Sequence, residues 1–229
     1  MKSQSSPNPL FSLLRRASLI ACAAALASCQ TPLAKKDNYD SPAHRPKNPS
    51  AVRVKVSTGA QMIYVMEGNR PLLVTATCVG YAGKNTPAGN WSVINKIAKK
   101  RSGSYGFSVS GETIRACEAS KATGRYVGFP MPFWVEFKPT YGFHSGYVWN
   151  VPHSHGCLRI HPNVAPKFFA LVKSGTPVNI ASSQPEDATL GANHKRPGPE
   201  HYLAPDPPAS VSITDAPFHA TDGKPLFVD

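Results

Sequence analysis

The sequence predicts a mostly β fold with one or more short helices, built as a single globular domain. Between residues 52 and 56, three valines alternate with two cationic side chains, as in a strand with one buried face. Apolar runs of strand length follow at 62–66 and 72–78. The composition is 41% apolar, and many of the 23 prolines lie near the two ends. This distribution favours one domain with irregular flanks over two domains.

Turn residues and renewed alternation predict the next two strands. Pro87-Ala88-Gly89 has the composition of a turn and precedes a predicted strand from about Asn90 to Ile97. Apolar and polar residues alternate again from Phe133 to Phe137.

One helix is predicted near the end of the domain. Asn163 is its expected N-cap, Pro166 lies in its first turn, and Gly175 follows its last turn. Its buried stripe would consist of Phe168, Phe169, Leu171 and Val172.

Residues 1–28 predict a secretory signal. Cationic side chains precede an apolar segment of about eleven residues, Ala17 to Ala27, which is too short to span a membrane. The end of this segment, Leu26-Ala27-Ser28-Cys29, resembles a bacterial lipobox, in which the cysteine is lipidated and becomes the first mature residue. Acyl chains on Cys29 would tether the protein to a membrane without a spanning helix. An ordinary signal peptide cleaved nearby is the alternative.

The residue after the lipobox cysteine predicts the compartment. In lipoproteins of Gram-negative bacteria, a residue other than aspartate at that position usually directs the protein to the outer membrane, and here it is Gln30. The expected location is therefore the cell envelope, as an outer-membrane lipoprotein that faces the periplasm.

The flanks of the domain are rich in proline. Residues 29–50 carry prolines among polar residues and predict an extended tether between the lipid and the domain at 51–182. Residues 183–229 contain eight prolines and few periodic apolar positions, which predicts a largely irregular tail. Alternatively, the apolar residues of the tail fold back onto the domain: Tyr202, Leu203, Phe218, Leu226 and Phe227.

The charge lies mainly on the domain. Residues 29–182 contain 19 basic and 6 acidic residues, a net charge of +13, whereas the tail has 3 basic and 7 acidic residues. A basic domain is attracted to anionic polymers and anionic membrane surfaces. Nucleic acid is not an expected partner, because the chain carries an export signal and lacks nucleic-acid-binding motifs. The sequence does not indicate an oligomeric state.

Five cysteines divide into those with a predicted role and those without one. Cys22 would leave with the signal, Cys29 would be lipidated, and Cys157 is the candidate nucleophile discussed below. Cys78 and Cys117 remain. They would form a disulfide in an oxidising compartment, or stay reduced as small buried side chains.

The chemically most informative stretch is Ser154-His155-Gly156-Cys157-Leu158-Arg159, with His144 ten residues upstream of Ser154. A cysteine beside glycine, with histidines near it, has the parts of an acyl-transfer nucleophile. The thiolate is the reactive form, so the site is expected to lower the thiol pKa, which an imidazolium within reach would do.

Two other interpretations of these residues stay open from the residue types alone. The histidines and Cys157 would also fit a surface loop without chemistry. Zinc is the second alternative, since histidine and cysteine are its usual ligands. The spacing matches no common closed zinc pattern, because His153 and His155 would point in opposite directions on a strand. The prediction is that neither a metal nor an organic cofactor is bound.

A wider set of motifs is similar to the YkuD-type L,D-transpeptidases. The resemblance runs over residues 51–182, about 130 of the 229. The Ser-His-Gly-Cys core with its preceding histidine is the specific part, and the interval from His144 to Ser154 is shorter than in many members. The motifs are Thr86-Pro87-Ala88-Gly89-Asn90-Trp91, Met131-Pro132-Phe133-Trp134, Gly142-Phe143-His144-Ser145-Gly146-Tyr147, Pro152 to Arg159, and Gly175-Thr176-Pro177-Val178.

The resemblance implies a β-sandwich or barrel-like fold with the cysteine loop at the mouth of a cleft. It also implies the reaction: the thiol of Cys157 attacks a peptidoglycan tetrapeptide stem at the L-centre carbonyl of the third residue, D-alanine leaves, and a thioester forms. His144 would act as the base, and the backbone carbonyl of Ser145 would orient its imidazole.

Six further residues have predicted roles beside this pair. The amides of Gly156 and Cys157, helped by His155, are expected to bind the developing oxyanion. Ser154 would hydrogen-bond the loop or the substrate. Arg159 is a candidate clamp for a substrate carboxylate, or alternatively forms an ion pair within the loop. In the intervening loop, Tyr147 and Trp149 either wall the cleft or serve packing.

The acyl acceptor stays open at this level. An amine of a second stem would give a 3-3 cross-link, an amine of a protein would attach that protein to murein, and water would make the enzyme a carboxypeptidase or endopeptidase. A non-catalytic murein-binding lipoprotein is a further alternative, which the presence of both His144 and Cys157 argues against.

Overall fold

The computed structural model describes residues 38–229. The predicted signal peptide, the lipobox and Cys29 lie outside the described residues. Those predictions and the domain boundaries that depend on them stay predictions.

Within residues 38–229, the chain forms ten strands that make one large mixed sheet. The predicted mostly β class is confirmed. The strands are β1 (Val52–Ser57), β2 (Met62–Glu67), β3 (Arg70–Cys78), β4 (Gly89–Ser92), β5 (Asn95–Ser110), β6 (Thr113–Glu118), β7 (Arg125–Lys138), β8 (Tyr141–Ser145), β9 (Leu158–Ile160) and β10 (Pro177–Ala181).

The helices are short. They are the α-helices α1 (Ala165–Leu171), α2 (Pro199–Tyr202) and α3 (Ala209–Ser212), and the 3-10 turns at Ala119–Lys121, Pro185–Ala188 and Ala216–Phe218. No helix among residues 38–229 is long and apolar enough to cross a membrane.

The sheet curls over its own apolar face. Its strand order is β4-β10-β1-β2-β3-β9-β8-β7-β5-β6. Although β4 and β7 are far apart in this order, Trp91 of β4 lies 6.3 Å from Phe137 of β7, measured between ring centroids. A single core therefore contains residues of both halves, with α1 against it through Phe168. The curled sheet gives the sandwich-like packing that the resemblance implied.

The predicted strands between 52 and 78 are present, with alternating burial along β1 and burial of consecutive residues along β2 and β3. The strand expected at 90–97 is instead two strands. At the break, the Val93 amide donates to the Thr176 carbonyl and the Ile94 amide donates to the Glu136 carbonyl. The chain thus crosses from one half of the sheet to the other between β4 and β5. Local alternation does not reveal this crossing, because both pieces keep extended backbone.

The N-cap of helix α1 lies one residue after the predicted one. Val164 is the N-cap, and no side chain caps the helix. The Asn163 side chain instead donates to the Tyr39 carbonyl at 2.8 Å and accepts from Lys224 at 2.7 Å. Long-range partners therefore replaced the local cap.

The tail is irregular in conformation but packs on the domain. Phe218 is buried, and Phe227 packs against the core, whereas Leu203 is 68% exposed. The Val228 amide also donates to the Ala43 carbonyl at 3.0 Å. The alternative in which apolar residues of the tail fold back thus describes part of the segment.

The remaining cysteines of the described region are reduced. Cys78, Cys117 and Cys157 are free thiols. Cys78 lies on β3 and Cys117 on β6 at the far edge of the sheet, so several strands separate them. Of the two possibilities, the structure has the reduced form.

Candidate active site

The candidate base lies on β8, and the candidate nucleophile immediately precedes the adjacent parallel strand β9. His144 on β8 is the register partner of Arg159 on β9, and Cys157 immediately precedes β9. Because register partners of parallel strands share a face of the sheet, Arg159 points to the same face as His144, and alternation continued to residue 157 would turn Cys157 toward that face as well. The strand pairing thus brings together three residues that the sequence analysis selected.

His144 is oriented by its own backbone neighbourhood. Its Nδ1 donates to the Ser145 carbonyl at 2.8 Å, which leaves Nε2 as the unprotonated nitrogen of a neutral ring. The ring stacks on buried Trp134 with a centroid separation of 6.2 Å. Burial lowers the pKa of His144 from 6.5 to about 4, the Ser145 hydrogen bond opposes this shift, and the charge of Arg159 adds to it.

Cys157 is held by the hairpin turn between β7 and β8. Its thiol contacts the Thr140 carbonyl at 3.8 Å, and the Gly142 amide donates to the sulfur. Burial raises the pKa of Cys157, and the Gly142 amide and the charge of Arg159 only partly offset this rise.

The expectation of a lowered thiol pKa is therefore wrong for this site. Burial penalises the charged form of both the thiol and the imidazole, so the resting pair is neutral. A thiolate would arise only as its proton moves to the histidine.

Ser154 organises the backbone that leads to the nucleophile. Its buried hydroxyl donates to the Cys157 carbonyl at 2.6 Å and accepts the Gly156 amide at 3.0 Å. The prediction that the Gly156 amide faces the oxyanion is thereby corrected, because that donor is already engaged within the loop. The corresponding role of the Cys157 amide stays a prediction.

Position 156 requires glycine because of its backbone conformation and the space around it, not because its amide binds an oxyanion. Gly156 has a φ of +111°, which L-residues with a side chain rarely adopt. A Cβ at this position would lie 2.6 Å from Cε1 of Tyr141. The loop therefore depends on glycine for both conformation and space.

Arg159 is a partly buried cation beside the pair. Its aliphatic stem runs under Gly146, where a Cβ would meet it at 3.4 Å. Among residues 38–229, no carboxylate forms an ion pair with its guanidinium. The alternative of an ion pair within the loop is therefore not what the structure contains.

His155 is exposed and lies between two tyrosines. Its ring stacks on Tyr105 of β5 at 5.3 Å and meets Tyr81 edge-on at 5.4 Å, both measured between centroids. This places His155 in an aromatic cluster at the surface beside the cysteine loop. Its predicted help to the oxyanion stays a prediction.

The two aromatic residues of the intervening loop pack against neighbouring rings, and whether they also wall a substrate cleft stays a prediction. Trp149 stacks between His153 at 4.1 Å and Tyr202 at 4.6 Å. Tyr147 packs edge-on against His201 at 5.3 Å. In the described part of the chain, no three metal-ligating side chains cluster in a way that would hold an ion.

Residues outside the motifs also contact the cysteine loop, and the sequence alone did not identify them. The dipeptide Pro139-Thr140 between two alternating strands is a turn signal that predicts the hairpin. It does not predict that the Thr140 carbonyl contacts the Cys157 thiol. Arg196 and His201 of the tail, which hydrogen-bond to the loop at residues 148–150, did not stand out either, since nothing local marks an irregular segment as part of a site.

The chain has no significant match among the curated proteins. Among solved structures it is similar to an L,D-transpeptidase (Yku) from Stackebrandtia nassauensis, with 20% identity, a TM-score of 0.45 and coverage of 62% of this chain and 60% of that one. An L,D-transpeptidase from Mycobacterium smegmatis is 16% identical, with a TM-score of 0.45, covering 57% of this chain and 58% of that one.

L,D-transpeptidase 1 from Mycobacterium tuberculosis is 18% identical, with a TM-score of 0.41 and coverage of 57% and 61%. The chain thus spans about three fifths of the length of the structures that it matches. The model of the YkuD family, described as the L,D-transpeptidase catalytic domain, matches residues 51–180, which is more than half of the chain and contains both His144 and Cys157. The chain therefore belongs to the YkuD family of L,D-transpeptidase catalytic domains.

Proposed function

We propose that this protein is an L,D-transpeptidase that transfers peptidoglycan stem peptides through a thioester on Cys157. The observation that carries the proposal is the parallel pairing of β8 with β9, with His144 Nδ1 engaged by the Ser145 carbonyl at 2.8 Å. This arrangement presents the basic nitrogen of a neutral imidazole on the face that carries the thiol. Family membership supports the same reaction class.

The proposed reaction has two steps. The proton of Cys157 moves to Nε2 of His144 as the sulfur attacks the carbonyl carbon of the third stem residue. The tetrahedral intermediate collapses, its carbon–nitrogen bond breaks, and the imidazolium returns the proton to the departing amine of D-alanine. An acceptor amine then attacks the thioester, forms the new amide and releases the thiol.

The neutral resting pair suits this sequence of proton transfers. With the pKa of His144 near 4 and the thiol pKa raised, neither group is charged near neutrality. Proton transfer coupled to attack avoids a long-lived ion pair in a partly buried site.

The position of Arg159 favours an acyl-donor substrate that carries a carboxylate. Its guanidinium lacks a carboxylate partner within the described residues and lies beside the reacting pair. A planar fork of donors matches a carboxylate in two hydrogen bonds. Stem peptides end in such a group, so Arg159 is the proposed clamp for the donor terminus.

We place the reaction in the cell envelope. The proposal rests on the predicted signal, the lipobox with Cys29 and the +13 charge of residues 29–182, which favours anionic polymers. An outer-membrane lipoprotein facing the periplasm would have its domain within reach of murein.

The test is incubation of the purified protein with tetrapeptide-bearing muropeptides, followed by mass spectrometry. We expect dimers linked 3-3 or, with an amine acceptor added, its covalent product. Shortened stems without dimers would assign a hydrolase instead. The absence of any product, while muropeptides still bind, would favour the non-catalytic binding protein.

One variant of each residue tests the roles of Cys157 and His144 separately. A carbapenem is expected to add covalently to Cys157, and Cys157→Ala abolishes the adduct. His144→Ala should slow acylation by about 10²–10⁴-fold, the usual contribution of a general base. An unchanged acylation rate in that variant would remove His144 from the mechanism.

A further inference from the structure

The loop between the base and the nucleophile has little regular structure of its own. β8 and β9 are parallel, and residues 146–157 connect them without a helix or strand. Parallel neighbours need a crossover of about a dozen residues or more, so this connection is close to the minimum length. Its conformation must therefore be fixed by contacts from elsewhere.

The backbone of residues 79–81 holds the end of the loop at His153 and Ser154, and Arg196 of the tail holds its middle. Its guanidinium donates to the carbonyls of Ala60 and Gln61 at the start of β2, of Thr77 on β3, and of Trp149 in the loop, at 3.2–3.4 Å. Its Nε also donates to the Asn150 side chain at 3.3 Å. One side chain of the tail thus ties the middle of the loop to the central strands.

Gln61 reinforces this attachment. Its side-chain amide donates to the Asn150 carbonyl at 3.0 Å. Asn150 therefore accepts hydrogen bonds at its backbone carbonyl from the residue before β2 and at its side chain from the tail.

His201 and Tyr202 hold the same part of the loop, at residues 148–150. Nε2 of buried His201 accepts the Val148 amide at 2.9 Å. The ring of Tyr202 stacks on Trp149, and its hydroxyl accepts a hydrogen bond from Asn150 at 3.3 Å. Three consecutive loop residues therefore contact a tail segment that lies beyond the family match at 51–180.

We propose that Arg196, His201 and Tyr202 are positioning residues that hold the 146–157 loop, and with it the spacing between His144 and Cys157, in the conformation needed for acyl transfer. The catalytic part of this inference rests on the proposed function. The part that concerns loop order does not.

The test uses Arg196→Met and Tyr202→Ala in the full-length protein. Lys195→Met and Leu203→Ala are the matched controls, because both residues are exposed neighbours in the same segment. Tyr202→Phe is the conservative variant, which keeps the stacked ring and loses only the hydroxyl. Circular dichroism and the cooperativity of thermal unfolding establish which variants are folded.

Hydrogen exchange of loop amides, above all that of Val148, is the readout independent of activity. We expect exchange to accelerate at least tenfold in Arg196→Met and Tyr202→Ala, and to stay near wild type in the controls and in Tyr202→Phe. Unchanged loop exchange in folded variants would overturn the inference, whatever the protein catalyses.

Acylation by a carbapenem supplies the catalytic readout. A misplacement of about 1 Å can reduce a reaction rate by about 10²-fold, so the limiting rate should fall by roughly 10- to 100-fold while the half-saturating concentration stays constant. An unchanged limiting rate despite faster loop exchange would remove the catalytic part. If wild type itself were not acylated, the proposed function would fail, and hydrogen exchange would still decide whether the tail holds the loop.

Discussion

Gly156 lies so close to Tyr141 that a methyl group on its Cα would be 2.6 Å from a ring carbon. The contact joins the residue before the nucleophile to the first residue of β8. The cysteine loop and the base-bearing strand are therefore fitted to each other through a glycine and an aromatic ring.

Gly156→Ala is predicted to disrupt the site. The new methyl group would clash with Tyr141, and its φ of +111° is strained for alanine, a cost of about 1–3 kcal/mol. We expect lower stability in denaturant unfolding and the loss of most carbapenem acylation. Gly103→Ala is the control, since a Cβ there meets no atom within 4 Å. Wild-type behaviour of Gly156→Ala would contradict the fitted contact.

The pH dependence of acylation should reveal the lowered pKa of the half-buried His144 imidazole. His144 must be neutral to accept the thiol proton, and its pKa is about 4, so it is the neutral form that prevails at every pH above that value. The rate should therefore stay level as pH falls through 6.5 and decline only near pH 4. Stopped-flow measurement of acylation across this range tests the prediction. A midpoint near 6.5 would show that the ring titrates as if exposed.

Alkylation by iodoacetamide should report the raised thiol pKa. The thiolate is the reactive species, and burial raises the pKa of Cys157 above its ordinary value of 9.0. Peptide mapping by mass spectrometry should show that modification of Cys157 keeps increasing as pH rises from 7 to 9. A rate that is already level at neutral pH would indicate a thiolate–imidazolium pair at rest.

Ser154→Ala is predicted to loosen the nucleophile loop. The hydroxyl is buried and satisfies both the Gly156 amide and the Cys157 carbonyl, so its removal leaves two buried groups without their partner. The expected cost is about 1–3 kcal/mol in the free energy of unfolding. Ser104→Ala, at an exposed position of β5, should change it by less than about 0.5 kcal/mol. Equal values for the two variants would argue against the role of Ser154.

Arg159→Met is predicted to weaken donors that carry a carboxylate. Losing a charge-assisted hydrogen bond typically costs about 1.5–3 kcal/mol, which corresponds to roughly 10- to 100-fold in affinity. The half-saturating concentration of a tetrapeptide stem should rise by that factor, but that of its C-terminal amide should change little. Arg53→Met, at an exposed position of β1, is the control. The same loss for both donors would exclude the carboxylate clamp.

Much of the fold could be predicted from the local pattern of apolar and polar residues. The alternation at residues 52–56 and the apolar runs at 62–66 and 72–78 predict strands that the structure contains. A strand with one buried face alternates, and a strand buried on both faces is apolar along its length. The break between β4 and β5 could not be predicted from local sequence. It depends on the amides of residues 93 and 94, which donate to the distant Thr176 and Glu136 carbonyls.

The sequence by itself determined the chemical groups of this protein: a cysteine, a histidine and an arginine in a family-specific order, within a basic β domain. The tertiary structure alone decided their state. Pairing of β8 with β9 brings His144 and Cys157 to one face, and burial at that place makes both neutral. The Ser154 hydroxyl removes the Gly156 amide from the predicted oxyanion site, and Arg196 brings the tail to the loop. Burial and such partners arise from contacts between distant segments, which local periodicity does not encode.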